Sequence, residues 1–237
     1  METFSVLESF YLAWGIYKKV FFKMTAGIAA VYVFFALICF LTWFLFYQNM
    51  PVAAALLIPI YCFLMMLYMS FARGFFNGKG MSFKNFFPPL KQIFLLAGFT
   101  LFINGFLVAM FFITEKVSAI LNLFLYKSIK NPEIIMFFVV LVFTVLAFYV
   151  IVVLFYAPLS ILDGVKFSDS LAASLEIIQS HKIAFFCVLS VLACLNFIGH
   201  ITLFGWLFTL PFSVLVILQI YITISKKSGD ITDEEYY

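Results

Sequence analysis

Charged residues are scarce in this sequence. Only 11% of its 237 residues are Asp, Glu, Lys or Arg, whereas a soluble domain carries about 25%. So few charges do not cover a water-facing globule, and 66% of the residues are hydrophobic. The shortage excludes an ordinary soluble protein and indicates that lipid is the solvent for most of the chain. The net charge of +3 is small and dispersed, so we predict no nucleic-acid partner.

Side chains that hold metals or perform catalysis are scarce as well. There are four cysteines and two histidines, with no CxxC pair and no His/Cys cluster. The cysteines lie in apolar stretches, where a thiol behaves as a small hydrophobic group. Those stretches contain essentially no charged residue, which argues against ion-coupled carriers and hydrolases with paired acids. We therefore predict no catalytic residue, no metal, no cofactor and no enzymatic activity.

Long apolar runs are the feature that the sequence does have. A membrane-spanning helix needs about 20 predominantly apolar residues, and six stretches meet this length. We therefore predict an all-α, polytopic membrane protein with six transmembrane helices arranged as three hairpins. A count of five or seven would require one stretch to be re-entrant. The six predicted spans are 24–47, 52–72, 93–113, 134–157, 183–201 and 207–225.

The positions of the basic residues predict the orientation of these spans. Eleven Lys and Arg residues fall on the side that holds both termini, and three on the opposite side. Cytoplasmic loops carry such an excess, so we predict that both termini are cytoplasmic. The eleven are Lys18, Lys19, Lys23, Arg73, Lys79, Lys84, Lys91, Lys166, Lys182, Lys226 and Lys227, and the three are Lys116, Lys127 and Lys130.

An internal repeat divides the predicted membrane domain, which covers residues 1–225. Phe4-Ser5 and Phe167-Ser168 each begin a segment that ends fifteen residues later at a lysine before a span. We predict three parallel units, at about 1–72, 78–157 and 164–225, each opening with an amphipathic helix on the cytoplasmic membrane surface. In the third unit the predicted apolar stripe is Phe167, Leu171, Leu175 and Ile178. Residues 226–237 form a polar cytoplasmic tail.

Two groups of polar residues are candidates for ligand contacts. Arg73, Lys79 and Lys84 form a basic cluster that is typical of binding to lipid phosphates, or that only fixes the topology. Asn104 and Asn196 are polar groups at membrane depth, thirteen and fourteen residues after Lys91 and Lys182. They predict either a polar contact to a substrate or lipid headgroup, or hydrogen bonds between helices.

The stretch from Tyr156 to Gly164, YAPLSILDG, continues into the amphipathic segment from Phe167 to Lys182 and then a new span. This pattern resembles the YciC-like family of uncharacterised bacterial inner-membrane proteins. It is also similar to the membrane domain attached to some glycerophosphodiester phosphodiesterases. The resemblance covers about residues 152–192. It implies a bacterial inner-membrane location and a role in envelope or lipid homeostasis, and it carries no catalytic residues over to this chain.

These observations lead to three functional hypotheses. The first is a non-enzymatic protein that binds membrane lipids, as a transporter, a scramblase-like path or a lipid-organising factor. The second is a structural or assembly subunit that binds another membrane protein. The third is a small-solute channel or exporter with polar contacts from Asn104 and Asn196.

Overall fold

The computed structural model describes residues 5–46, 50–76, 86–125, 132–202 and 204–227. Within these ranges the chain forms eight α-helices and no strand, which confirms the all-α prediction. The helices are α1 (Val6–Phe46), α2 (Met50–Phe76), α3 (Leu90–Leu125), α4 (Pro132–Val153), α5 (Ala157–Leu162), α6 (Phe167–Ser180), α7 (Lys182–Ile201) and α8 (Trp206–Lys227).

Five of these helices, α1, α2, α3, α7 and α8, are long and apolar enough to cross a membrane. They fall on five of the six predicted spans and give the chain the character of a multi-pass membrane protein. The predicted fourth span falls on α4, whose residues Phe137–Leu146 form a shorter apolar stretch.

The structure corrects the prediction that a separate surface helix precedes the first span. α1 runs without a break through both segments for 41 residues, or about 62 Å, which is longer than the membrane is thick. The physical reason is the absence of a breaker, since residues 16–26 contain neither glycine nor proline. α3 is continuous in the same way over 36 residues. The segment expected before the third span lies largely in 77–85, outside the described residues.

α6 is the predicted amphipathic helix of the third unit, but its buried face differs from the predicted stripe. Ser170, Ser174 and Ile178 are buried against the bundle, whereas Leu175 is exposed and Phe167 and Leu171 are half-buried. Small serine side chains allow the backbone of α6 to approach α5 closely. A pattern based on apolar residues alone does not find such a face.

α8 forms the centre of the bundle. In its most apolar window 61% of the residues are buried, against 17–28% in the other four helices. The core positions from Val214 to Ile224 contact α1, α2 and α7. α1 and α2 pack against each other in antiparallel directions. The Tyr68 hydroxyl donates to the Met24 carbonyl oxygen (3.0 Å), and the Tyr32 and Tyr61 hydroxyls, later in α1 and earlier in α2, are 3.0 Å apart.

Candidate functional site

A cluster of polar residues lies where α2 ends, α5 ends and α8 nears its last turns. Arg73 of α2 forms an ion pair with Asp163, and the Tyr221 hydroxyl of α8 donates a hydrogen bond to the other oxygen of the same carboxylate. The side chains of Arg73 and Asp163 are only 12% and 17% exposed. We call Arg73, Gln92, Ser160, Asp163 and Tyr221 the polar cluster, and the end of the bundle that holds it the Arg73 end.

The local structure of the YAPLSILDG stretch positions Asp163. Pro158 is at the start of α5, where its missing N–H has no helical partner to lose. At the other end, the Gly164 N–H donates to the Ile161 carbonyl (3.0 Å) and the Val165 N–H donates to the Ser160 carbonyl (3.1 Å). This pair of bonds is a Schellman motif, and Gly164 has the positive φ of 86° that the motif requires. Asp163 is the last residue before this turn, so its carboxylate is held at a fixed place.

Neighbouring elements fix the rest of the cluster. Gln92, in the first turn of α3, donates from Nε2 to the carbonyl oxygen of Leu162 (3.1 Å). The Tyr221 hydroxyl is also 3.4 Å from the Ser160 hydroxyl. The ring of Tyr156 stacks on that of Tyr221 at 5.9 Å, and the Tyr156 N–H donates to the Ser174 hydroxyl of α6 (3.1 Å). The cluster therefore connects α2, α3, α5, α6 and α8.

The electrostatics of the cluster favour a structural role over proton transfer. Both oxygens of Asp163 have a donor, and the positive charge of Arg73 is neutralised inside the protein. Nε of Arg73 is buried and has no hydrogen-bond partner within the described ranges of the chain. A buried ion pair of this kind fixes the arrangement of the elements that supply it. Among the described residues, no three His, Cys, Asp or Glu side chains are grouped so that they could hold a metal.

Several exposed lysines adjoin, in sequence, residues that belong to the polar cluster or to the helices that pack around it. Lys91 adjoins Gln92, and Lys166 is three residues after Asp163. Lys182 opens α7, where Phe185 packs on Tyr156 at 5.0 Å. The lysines of α1 immediately precede Met24, which bonds to Tyr68 five residues before Arg73. The exposed lysines at this end are Lys18, Lys19, Lys23, Lys91, Lys166 and Lys182.

These lysines outnumber the exposed carboxylates near them. The described carboxylates at the Arg73 end, apart from the paired Asp163, are Glu8, Asp169 and Glu176. No ion pair joins any of the six lysines to another residue in the part of the chain that the structure describes. This end of the molecule therefore presents an excess of positive charge to its surroundings.

The structure describes three of the five predicted contact residues, Arg73, Asn104 and Asn196, and places them apart from one another. Arg73 is engaged by Asp163, and Lys79 and Lys84 lie outside the described residues. Asn104 donates to the Thr100 carbonyl of its own helix (2.7 Å), and Asn196 donates to the Ser213 hydroxyl of α8 (2.9 Å). The bond from Asn196 links two helices, which is the structural alternative for that residue. The role of Asn104 and Asn196 as substrate contacts stays a prediction.

Sequence reasoning missed the pairing of Arg73 with Asp163 and Tyr221. A usable signal was present, because Arg73 is the single arginine of the chain and Asp163 falls in a loop assigned to the same side. A lone arginine near the end of an apolar helix needs a partner when it is buried. The hydroxyl of Tyr221 gave no such signal, since tyrosine is common at membrane interfaces.

Comparison with known proteins finds no match to this chain. Neither a protein-family model, nor a curated protein, nor a solved structure matches the chain. The resemblance of residues 152–192 to the YciC-like proteins stays a prediction.

Proposed function

We propose that this chain is a six-span membrane protein without enzymatic activity that holds anionic lipids at its cytoplasmic face. The observation that supports this proposal is the set of six exposed lysines in the segments that form the polar cluster or pack around it. Clusters of four to eight basic residues beside membrane helices are typical of binding to anionic headgroups, and each contributes about 1 kcal/mol near the surface.

Arg73 and the exposed lysines have different roles at this end. Arg73 is paired inside the bundle, so it fixes the helices while the exposed lysines contact headgroups. Lys79 and Lys84, which lie in the connection after α2, extend the same basic group in sequence. The exposed Leu175 and the half-buried Phe167 of α6 are suited to the interface between headgroups and acyl chains.

The length of α4 and its place in the chain support a sixth span. α3 begins at the Arg73 end, where Gln92 bonds to Leu162, and the chain must be back at this end by Asp163. α4, with 22 residues, is about 33 Å long, which matches a hydrocarbon core of about 30 Å. With α4 as a span, α3 and α4 form the middle hairpin and both termini lie on one side. The positive-inside rule then makes that side cytoplasmic, and the bacterial inner membrane implied by the resemblance is part of the proposal.

Retention of anionic lipid tests this function. The protein is reconstituted in nanodiscs of equal parts phosphatidylglycerol and phosphatidylcholine, released, and its bound lipids are counted by native mass spectrometry. We expect phosphatidylglycerol to be enriched. Replacing Lys18, Lys19 and Lys23 by Gln should lower that enrichment by at least about fivefold, the factor for about 1 kcal/mol.

The matched control removes three lysines from the opposite side. Lys116, Lys127 and Lys130 changed together to Gln alter the net charge equally and should leave the enrichment unchanged. An equal loss in both triple variants, or no loss in either, would rule out a lipid site at the Arg73 end.

Cysteine labelling tests the sidedness separately. In a variant without the four native cysteines, Lys91→Cys and Lys166→Cys should react with an impermeant maleimide only from the cytoplasmic side, and Lys116→Cys only from the other. If Lys91→Cys and Lys116→Cys were labelled from the same side, α3 would not cross the membrane and the six-span topology would be wrong.

A further inference from the structure

A groove runs between α3 and α4, away from the Arg73 end. Its volume is about 430 Å³, within the range of about 300–1,000 Å³ that ligand sites have. On α3 it extends from Leu107 to Ser118, which is about 16 Å along the helix. The outward faces of α3 and α4 on both sides of it are apolar and exposed, as at Phe111 and Val140. The groove therefore opens toward the lipid.

The lining of the groove changes from apolar to polar along its length. Leu107 and Met110 line the deeper part, together with Phe143 and Thr144 of α4, and the Thr144 hydroxyl donates to the Val140 carbonyl of its own helix (2.8 Å). Glu115 and Ser118 line the other part, toward the end of α3. Glu115 is 25 residues after Leu90, about 37 Å along α3, so it reaches the membrane surface opposite the Arg73 end. An amphiphile with its chain in the deeper part and its headgroup at this surface matches the gradient.

The polar part of the groove offers hydrogen-bond acceptors. Ser118 is only 8% exposed, and its buried hydroxyl oxygen has no hydrogen-bond partner among the residues that the structure describes. Thr114 donates its own proton to the Met110 carbonyl (2.7 Å), so its oxygen faces the groove as an acceptor. The carboxylate of Glu115 accepts and carries a negative charge. A ligand that satisfies this set has a positive charge and several N–H donors.

We infer that the groove binds a phospholipid whose headgroup ends in a primary ammonium, from the leaflet opposite the Arg73 end. The ammonium donates to Glu115 and Ser118, and one acyl chain lies against Leu107 and Met110. A quaternary ammonium carries the same charge but has no N–H, so it satisfies neither oxygen. The site thus distinguishes phosphatidylethanolamine from phosphatidylcholine by donors and not by charge.

A methylation series in the lipid headgroup tests the inference on the unaltered protein. Nanodiscs contain equal parts of phosphatidylcholine and either phosphatidylethanolamine or its N-methyl or N,N-dimethyl derivative, and bound lipids are counted by native mass spectrometry. We expect about tenfold enrichment of phosphatidylethanolamine, the factor for one hydrogen bond to a charged group, and a decline with each added methyl group. Equal retention of all four lipids would overturn the inference.

Two single variants place the site. Glu115→Ala and Ser118→Ala each remove one acceptor and should each lower the enrichment of phosphatidylethanolamine severalfold, with unchanged melting temperatures in detergent. Lys116→Gln alters a charge on the next residue, which does not line the groove, and should retain the enrichment. Undiminished enrichment in both alanine variants would place the lipid elsewhere.

This site is independent of the proposed function at the Arg73 end. It lies at the opposite membrane surface and selects a zwitterionic lipid, so the lysine triple variant should not change it. Loss of phosphatidylglycerol enrichment with retained phosphatidylethanolamine enrichment would separate the two sites.

Discussion

Gly164 is the residue on which the geometry of the polar cluster depends. Its φ of 86° lies in the left-handed region, where a Cβ atom meets the following carbonyl oxygen. The Schellman bonds of this turn place the preceding residue, Asp163, against Arg73 and Tyr221. Open space surrounds the position, since the nearest atom to an added Cβ would be Gln92 Nε2 at 4.0 Å. A side chain here therefore strains the backbone without a clash.

We predict that Gly164→Ala lowers the free energy of unfolding by about 1–2 kcal/mol, the cost of a left-handed conformation for a residue with a Cβ. Thermal unfolding in detergent measures the effect. Gly98→Ala is the matched control, because Gly98 lies inside α3 with nothing within 4 Å of an added Cβ, and alanine is favoured in a helix. A Gly164→Ala variant as stable as Gly98→Ala would show that the turn is not left-handed.

Residue-level patterns singled out three members of this cluster, Arg73, Ser160 and Asp163, but not their contacts. Ser160 and Asp163 belong to the YAPLSILDG stretch, which forms α5 and the turn at Gly164. The ion partner was not predictable from that stretch, because Arg73 is 90 positions earlier in the chain. Pairing at that separation depends on how α2 and α5 pack, and local patterns carry no information about packing.

At the scale of single elements, α6 is a helix whose position was predicted correctly but whose buried face was not. The helix is Phe167–Ser180, close to the predicted segment. Its buried positions include two serines, since Ser174 accepts the Tyr156 N–H and Ser170 donates to the Lys166 carbonyl oxygen (2.9 Å). Apolar periodicity assigns the core side of a helix only where large side chains make the contact.

We predict that Ser174→Val destabilises the protein by about 2 kcal/mol. The larger side chain overpacks a fully buried position, and the Tyr156 N–H loses its acceptor. Ala172→Val, on the exposed side of the same helix, makes the matched comparison and should cost less than about 0.5 kcal/mol. Chemical denaturation in detergent gives both values, and equal values would show that α6 does not pack through its serines.

For α1 and α3, the prediction failed in the length of the helix. Their apolar cores were predicted, but their lengths were not, because the lysine that ends the first segment was taken as the boundary between a surface helix and a span. Lysine is a good helix former, so it does not end a helix. Even glycine and proline lie inside helices of this chain, at Gly27 of α1, Pro59 of α2 and Pro211 of α8. Hydropathy therefore located the spans but not the helix ends.

At the scale of the whole molecule, the Arg73–Asp163 ion pair joins parts of the chain that are distant in sequence. It links α2 to the connection between α5 and α6, and Tyr221 adds α8. Removing one partner leaves a buried, uncompensated charge, which is more damaging than removing both.

We predict that Arg73→Gln and Asp163→Asn each lower the free energy of unfolding by about 3 kcal/mol. The double variant should cost at least about 1 kcal/mol less than the sum, since the two groups are in contact. Reversible unfolding in detergent of the unaltered protein, the two single variants and the double variant measures these free energies. Lys116→Gln combined with Asp163→Asn should be additive, because these residues lie at opposite ends of the molecule. Additive effects for the Arg73 and Asp163 pair would mean that the ion pair does not stabilise the fold.

The central position of α8 has a consequence for biosynthesis. α8 follows the other seven helices in the chain, and its most apolar window is the most buried of the five. During translation, α1, α2 and α7 enter the bilayer before the helix that they pack around exists, and Arg73 enters before either of its partners. Each earlier helix must therefore be stable on its own in lipid, as their hydropathy allows. The close packing of the bundle then forms in one late step. A ribosome that stalls before α8 leaves an inserted but unassembled chain with an unpaired arginine, the kind of feature that membrane proteases and chaperones recognise.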